Sequence, residues 1–333
     1  MASEWMQRLG LRYPVVQAGM GGGVADSGLA GAVSLAGGLG TLGISAPAHF
    51  LEELRNTRKL CGDRPFAANL LMPFLRSAHV EACIAEKPAV VVLFLGYDAA
   101  LVRRLHDAGI VVWQQVGDAA QATRALANGA DGVIAQGVEA GGHLSGEIPL
   151  AELLRELRPL IDPHHALLAA GGIHDAATAR NACALGADGV VAGTRFLLTP
   201  ESAAHPQYKD RLLAAEQTLR TKLFGLSWPA YHRVAVNAAT ARWAHPRADG
   251  PAWAQAIDAA CGPLRRVLPL DAAAFFIGMQ RLALPLYSPF PLTREMNPRR
   301  IDTTPLYAGE CVREIKSLRT SAEVVAELAS GCA

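Results

Sequence analysis

Short apolar runs rich in β-branched residues alternate with longer alanine- and leucine-rich segments along the amino-terminal half of the chain. The runs predict strands at 13–17, 65–70, 89–95, 110–116, 131–136, 166–172 and 188–193, with a weaker eighth strand at 41–45. The segments between them predict helices at 27–37, 48–61, 76–87, 98–108, 118–128, 149–161 and 175–185. Continuous apolar strands are typical of a parallel sheet covered on both faces. The pattern therefore predicts a (β/α)8 TIM barrel, with a doubly wound sheet as the alternative.

An internal repeat supports related βα units. ANGADGVIAQG (127–137) and ALGADGVVAGT (184–194) share G-A-D-G-V at the same helix-to-strand junction. In each copy a glycine is expected to end a helix, and Asp and Gly to form a turn before the strand. Each strand then runs into a loop of small residues, at the end of a barrel where catalytic loops lie.

The pattern changes after residue 200, which divides the chain into three predicted parts. Residues 1–200 form the barrel core. Residues 201–305 form a mainly helical appendage, with helices over 201–283 and a proline-rich connector at 284–305. Residues 306–333 pack back on the barrel, because 311–329 has the pattern of a closing helix or a short helix pair.

Composition and charge limit the kinds of ligand and partner that the chain is expected to bind. With 51% hydrophobic and 18% charged residues the chain can bury a large core, and a formal charge of +1 argues against a nucleic-acid partner. The six cysteines follow no zinc spacing, and no His/Glu/Cys set predicts a metal site. Neither a signal peptide nor an apolar stretch of about 18 residues is visible, so we expect a cytoplasmic protein without a membrane span.

Three glycine-rich stretches carry different information. GLGTLG (38–43) matches G-x-G-x-x-G, but it follows a helical pattern and precedes a strand, so it indicates a helix end and not a dinucleotide fold. AAGGI (169–173) and AGTR (192–195) lie where the seventh and eighth predicted strands become loops. Main-chain N–H groups at such loops bind phosphate in many barrels. Two ordinary βα turns are the alternative.

A single histidine follows the sixth predicted strand in AQGVEAGGHLSG (135–146). The ordinary pKa of an imidazole, about 6.5, suits proton abstraction, so His143 is the candidate base. A surface or structural histidine is the alternative interpretation. Glu139 is a second candidate, although a carboxylate at a turn is expected to be solvated.

Seven segments in order carry a resemblance: YPVVQAGMGGG (13–23), LAGAVSLAGGLGTLG (29–43), FAANL (66–70), AQGVEAGGH (135–143), LAAGGI (168–173), GTRFLLTPES (193–202) and YAG (307–309). Together they resemble the nitronate monooxygenase family, formerly 2-nitropropane dioxygenases, which are FMN-dependent barrels. Q-G-x-E-A-G-G-H also occurs in the wider superfamily of FMN-dependent enoyl-ACP reductases and NAD(P)H:quinone reductases.

The resemblance implies FMN as cofactor and assigns roles by position. Met20 and Asn69 would lie by the flavin ring, and Gln136 near its polar edge. Gly141 would let its loop approach the cofactor. The phosphate would be held by Gly172, Gly193 and Thr194. The catalytic base would be His143.

The implied reaction oxidises a nitronate or nitroalkane with O2 to a carbonyl compound and nitrite. Its partners would be these small molecules, with neither nucleic acid nor membrane, and a homodimer is one assembly state to test. The alternative activity is an NAD(P)H-dependent FMN reductase of enoyl thioesters or quinones. A barrel that binds its ligand without turnover is a third hypothesis.

The chain departs from common family patterns at three places. Gly19 stands where the family often has proline, Ala67-Ala68 where it often has Gly-Val, and Val191 where glutamine is common. Gln136 is retained, so the differences bear on subgroup and not on flavin binding.

Overall fold

A computed structural model describes residues 4–263 and 273–332. Its strands, β1 to β11 in order, are Val15–Gln17, Gly40–Leu42, Phe66–Leu71, Val90–Phe94, Val111–Val116, Gly132–Gln136, Gly142–His143, Ala166–Ala170, Gly189–Ala192, Thr218–Thr221 and His232–Ala235. Its helices, α1 to α14 in order, are Glu4–Leu9, Ser27–Leu35, Pro47–Cys61, Ser77–Glu86, Ala99–Asp107, Ala119–Ala127, Leu150–Leu157, Ala176–Ala184, Thr194–Leu197, Pro206–Leu213, Ala238–Trp243, Ala252–Ala260, Ala273–Met279 and Ser321–Gly331. Short 3-10 turns lie at Met72–Phe74, Arg158–Leu160, Pro298–Thr303 and Glu310–Glu314.

Eight of these strands form one parallel sheet in the order β1-β9-β8-β6-β5-β4-β3-β2. The two ends of this order meet, since Val16 pairs with Leu39 just before β2 and the Gln17 N–H donates to the Leu39 carbonyl at 3.0 Å. The sheet is therefore a closed barrel. All eight predicted strands and the seven predicted helices between them are confirmed, and the doubly wound alternative is wrong.

The strands are buried on both faces, as their continuous apolar runs predict. Along β4, Val90 and Val92 point into the barrel, whereas Val91 and Leu93 pack against the surrounding helices. Helix α1 closes one end, where Trp5 meets Trp113 edge to face at 5.5 Å. This packing fills the amino-terminal end and leaves the carboxyl ends of the strands for a site.

The repeated G-A-D-G-V junction has a structural explanation at the closed end of the barrel. The glycines that follow α6 and α8, Gly129 and Gly186, have φ of 93° and 97°. The Asp131 carboxylate accepts from the Val112 N–H, and that of Asp188 from the Leu167 N–H, both at 2.8 Å. In each copy the aspartate thus joins its own strand to the start of a neighbouring strand.

The carboxyl-terminal region contains strands that the pattern does not predict. Within 201–283, where helices are predicted, β10 and β11 form an antiparallel pair, and β11 also pairs with β7 next to the barrel. Part of that predicted helical stretch, 264–272, lies outside the described residues, as do 1–3 and 333. Helix α14 packs on α8 and α2, so the predicted closing helix is present, preceded by the 3-10 turn Glu310–Glu314.

None of the helices in the described part of the chain combines the length and the apolar character needed to cross a bilayer.

Candidate active site

A cavity of about 700 Å³ opens at the carboxyl ends of the barrel strands. That volume lies in the range of small-molecule and cofactor sites. The eight residues to which the resemblance assigns roles all line it: Met20, Asn69, Gln136, Gly141, His143, Gly172, Gly193 and Thr194. The fold therefore brings together segments that are distant in sequence, and the role of each residue stays a prediction.

His143 is held in place through its main chain. It lies on β7 opposite His232 of β11, and the next residue, Leu144, donates its N–H to the Tyr231 carbonyl at 3.0 Å. Gln136, at the end of β6, donates from Nε2 to the His143 carbonyl at 2.9 Å and accepts from the Ser145 N–H at 2.8 Å. Both ends of this amide thus fix the loop that carries the histidine.

Aromatic rings surround the imidazole of His143. The Trp228 indole stacks on it with 3.7 Å between ring centroids and 21° between planes. His232 and Tyr307 lie at 5.2 and 5.5 Å. The Nε2 atom is enclosed and has no hydrogen-bond partner among the described residues. Burial, with a smaller contribution from His232, holds the pKa of His143 well below its ordinary value. The imidazole is therefore a neutral base at neutral pH.

The neighbouring histidine is neutral for a related reason. His232 Nδ1 lies 3.0 Å from the Ala230 carbonyl, and Nε2 accepts from the Phe224 N–H at 3.4 Å. These partners assign the proton to Nδ1. Burial lowers the pKa of His232 to about 4. The two imidazoles can consequently lie close together without mutual charge repulsion.

The two glycine loops at the ends of β8 and β9 lie side by side, and the first has a backbone conformation that favours glycine. Gly171 and Gly172 follow β8 with φ of 126° and 70°, and Gly193 precedes the short helix α9. The Thr194 hydroxyl accepts from the Gly309 N–H at 2.9 Å, which joins this loop to the carboxyl-terminal YAG segment. Main-chain atoms of two strand-end loops thus line one side of the cavity.

Gly141 in the histidine loop has a packing role that the sequence did not indicate. A Cβ built on Gly141 would lie 2.5 Å from the main-chain atoms of Ala308 and Gly309. The same contact includes the Glu310 N–H, which donates to the Glu139 carbonyl at 2.9 Å. Gly141 therefore allows the histidine loop and the YAG segment to pack backbone against backbone.

Glu139, which is expected to be solvated, is partly exposed and also accepts hydrogen bonds from the protein. Its carboxylate accepts from the Leu150 N–H with both oxygens, at 3.2 and 3.0 Å. Leu150 begins α7, whose positive dipole end stabilises the carboxylate. Glu139 therefore caps a helix, and this engagement argues against a role as second base.

Across the cavity, the glycines at 19–23 pack against other walls of the site. A Cβ on Gly19 would come within 2.3 Å of the Asn69 Cβ, so proline cannot occupy this position without moving Asn69. Asn69 itself donates from Nδ2 to the Val92 carbonyl at 3.2 Å. A Cβ on Gly22 would meet Pro291 at 2.7 Å. The proline-rich connector, to which the sequence assigned no role, is thus one wall of the cavity.

Three aromatic side chains around His143 were not predicted from the sequence. Trp228, His232 and Tyr307 come from segments 85 to 164 residues further along the chain. The available signal was indirect: Trp228 and His232 lie in LFGLSWPAYHRVAVN (223–237), and Tyr307 in the YAG segment. Within the described residues, no group of three His, Cys, Asp or Glu side chains could hold a metal ion.

Comparisons with known proteins agree with this geometry. A (3aS,4S,5R,7aS)-5-hydroxy-7a-methyl-1-oxo-octahydro-1H-indene-4-carboxyl-CoA dehydrogenase from Rhodococcus jostii is 36% identical over 231 residues, which cover 68% of this chain and 63% of that protein. A nitronate monooxygenase from Paraburkholderia phytofirmans is 31% identical over 299 residues, with coverages of 73% and 79%. The solved nitroalkane oxidase of Streptomyces ansochromogenes superposes with a TM-score of 0.77 at 27% identity, over 99% of this chain and 98% of that one.

The match to the R. jostii relative thus spans less than two thirds of that protein's length. The family model described as nitronate monooxygenase matches residues 3–80 and 75–331, nearly the whole chain. The chain therefore belongs to the nitronate monooxygenase family.

Proposed function

We propose that this protein is an FMN-dependent nitronate monooxygenase, which oxidises alkyl nitronates with O2 to a carbonyl compound and nitrite. The observation that carries the proposal is the enclosed, unpartnered Nε2 of a neutral His143 in the cavity at the strand ends. A neutral base in a mostly apolar cavity suits removal of a proton from carbon. Nitroalkanes are carbon acids of this kind, whereas a nitronate has already lost that proton.

The cavity has features that fit FMN. The loops at Gly171-Gly172 and at Gly193 present main chain without side-chain bulk, which suits a phosphate. Two buried hydroxyls that line the cavity, of Thr41 and Ser45, lack hydrogen-bond partners among the described residues. Such groups could pair with polar edges of a flavin, because a buried hydroxyl without a partner is costly.

The residues that would hold FMN follow from these positions. We assign the phosphate to Gly172, Gly193 and Thr194, and the ring to the side of the cavity with Met20 and Asn69. Gln136 would act through the loop that it fixes, since both ends of its amide bind residues 143–145. When bound, FMN would supply the electron chemistry between substrate and O2.

The roles of the chain's own groups differ for the two substrate forms. For a neutral nitroalkane, His143 Nε2 would accept the α-proton and the electron pair would stay on the substrate as nitronate. For a preformed nitronate, the same residue would only shape the site. Apolar lining from Ile44, Val92 and Ile134 would limit the water that enters the cavity.

A second candidate is favoured by one comparison. The R. jostii dehydrogenase, which is named for a CoA thioester, is 36% identical, against 31% for the P. phytofirmans nitronate monooxygenase. Oxidation or NAD(P)H-dependent reduction of an acyl thioester is therefore the competing function on the same site.

One anaerobic experiment separates the two. The purified protein, reconstituted with FMN, is mixed in separate runs with ethyl nitronate, with NADPH and with an acyl-CoA thioester. We expect loss of the oxidised-flavin absorbance with the nitronate, and nitrite once O2 is admitted. A rapid response to NADPH or the thioester, with none to the nitronate, would reject the proposal in favour of the second candidate.

A further inference from the structure

The stack between His143 and Trp228 is the closest aromatic contact described in the cavity. Their ring centroids lie 3.7 Å apart and their planes meet at 21°. Trp228 is buried, and Phe74 packs edge to face against its ring at 5.0 Å. A tight turn fixes its main chain: the Trp228 N–H donates to the Gly225 carbonyl, and the Ala230 N–H to the Trp228 carbonyl, both at 2.7 Å. The indole is thus held against the imidazole from two sides.

Proton abstraction places a positive charge on the His143 imidazole, and its neighbours other than Trp228 do not stabilise that charge. When a substrate α-C–H bond breaks, the proton bonds to His143 Nε2, the electron pair stays on the nitronate, and the imidazole becomes a cation. Burial disfavours this cation, and His232 adds to the effect. Among the described residues, the titratable groups whose rings contact the imidazole are His232 from β11 and Tyr307 from the YAG segment, and neither is a carboxylate. In the described part of the chain, Nε2 has no hydrogen-bond acceptor to share the proton.

An indole face is a favourable partner for such a cation. The negative face of the aromatic quadrupole attracts a cation within about 6 Å, and tryptophan is the strongest such partner, especially when desolvated. The Trp228 ring meets the imidazole face to face well inside this distance. The same contact also restricts rotation of the imidazole and so holds the direction of Nε2.

We infer that Trp228 is a positioning residue, which orients the His143 imidazole and stabilises the imidazolium formed when a neutral nitroalkane loses its proton. The inference rests on the proposed function. It predicts that Trp228 matters for the neutral substrate and much less for a preformed nitronate, because only the neutral form charges the histidine.

The kinetic test compares Trp228→Leu, Trp228→Phe and the control Trp253→Leu, whose indole is about half exposed on α12. In FMN-reconstituted protein, Trp228→Leu should lower kcat/KM for nitroethane by about 10- to 30-fold. Its kcat/KM for ethyl nitronate should change by less than about threefold. Trp228→Phe should fall between wild type and Trp228→Leu, and Trp253→Leu should match wild type.

A second measurement needs neither flavin nor turnover. The ¹⁵N shifts of the His143 ring report the imidazolium fraction in flavin-free protein, over the pH range in which circular dichroism shows the fold intact. Trp228→Leu should show a smaller imidazolium fraction than wild type at each pH, and Trp228→Phe an intermediate one. This comparison also shows directly whether each variant is folded.

The outcomes distinguish a failure of the inference about Trp228 from a failure of the proposed function. Equal losses on both substrate forms, with an unchanged imidazolium fraction, would overturn the inference and leave Trp228 as a wall of the cavity. If wild type does not turn over ethyl nitronate at all, the proposed function fails. The ¹⁵N comparison would then still support or overturn the contact between the indole and the imidazolium.

Discussion

At the scale of single residues, the His143 imidazole is the group whose removal is most informative. Positioned general bases contribute about 10²- to 10⁴-fold to a proton-transfer step. We expect His143→Ala to keep FMN, because the phosphate loops are untouched, and to lose turnover of nitroethane by about that factor. Turnover of ethyl nitronate should fall far less. Initial rates of nitrite formation on the two substrates check this, and equal losses on both would contradict the assignment of the base.

The buried, neutral His232 also links stability to pH. An unfolded histidine binds a proton below about pH 6.5, whereas burial lowers the pKa of folded His232 to about 4. Between these values the unfolded state holds a proton that the folded state excludes, so the free energy of unfolding falls as pH falls. The slope is up to about 1.4 kcal/mol per pH unit for each such histidine.

His232→Gln isolates this contribution, since glutamine can offer one donor and one acceptor in place of the two ring nitrogens. Urea unfolding of wild type and variant at about pH 7 and about pH 5 gives the comparison. We expect the wild type to lose about 1 to 2 kcal/mol more than the variant over this interval. An equal loss of unfolding free energy in wild type and variant would show that His232 has the same pKa in the folded and the unfolded state.

At the scale of elements, the histidine loop and the YAG segment depend on a glycine contact. The Cβ of Gly141→Ala would lie 2.5 Å from the main chain of Ala308 and Gly309 and must push the two segments apart. Overpacking of this kind costs about 1 to 3 kcal/mol. Because the same loop carries His143, turnover of both substrate forms should fall.

Gly193→Ala is the matched control for stability, since its Cβ would meet only Ala18 at an ordinary 3.6 Å. The midpoints of urea unfolding of the two variants provide the test. A Gly141→Ala protein as stable as Gly193→Ala would show that the backbone contact is readily relaxed.

The elements of the barrel could be predicted because their signals are local. Each strand is a run of apolar residues buried on both faces, and the capping aspartates that begin α2, α5, α6 and α8 follow standard helix starts. Strands β10 and β11 could not, because each has only four residues with an arginine among them. They are strands because they pair with each other and with β7, a tertiary condition absent from the local pattern.

The site residues also differ in whether their signal is local or depends on the tertiary fold. Residues at strand ends, such as His143 and Gly172, could be placed by motif and order along the barrel. Trp228 and Tyr307 could not, because they reach the imidazole only through the fold of the carboxyl-terminal region. The prediction that Gln136 lies at a polar edge of the flavin remains untested, while its hydrogen bonds to the histidine loop became visible only in three dimensions.

At the scale of the whole molecule, two thiols lie beside each other where the last helix packs on the barrel. The Sγ atoms of Cys183 on α8 and Cys332 after α14 lie 2.7 Å apart, and both cysteines are free. The hydrogen bond between the sulfurs lowers the pKa of Cys183 and raises that of Cys332.

We expect diamide to link this pair, with each sulfur giving up its proton and one electron to the reagent as the S–S bond forms. The link would close a loop of 149 residues, for which the chain-entropy model gives up to about 5 kcal/mol of stabilisation. The other four cysteines form no comparable pair in the described residues.

Oxidised wild type should thus unfold at a higher urea concentration than reduced wild type, and a non-reduced digest should contain the Cys183–Cys332 peptide. Cys332→Ser should unfold at the same urea concentration under both conditions. If oxidised wild type carries the disulfide but unfolds at no higher urea concentration than reduced protein, the docking of α14 does not limit the stability of the barrel.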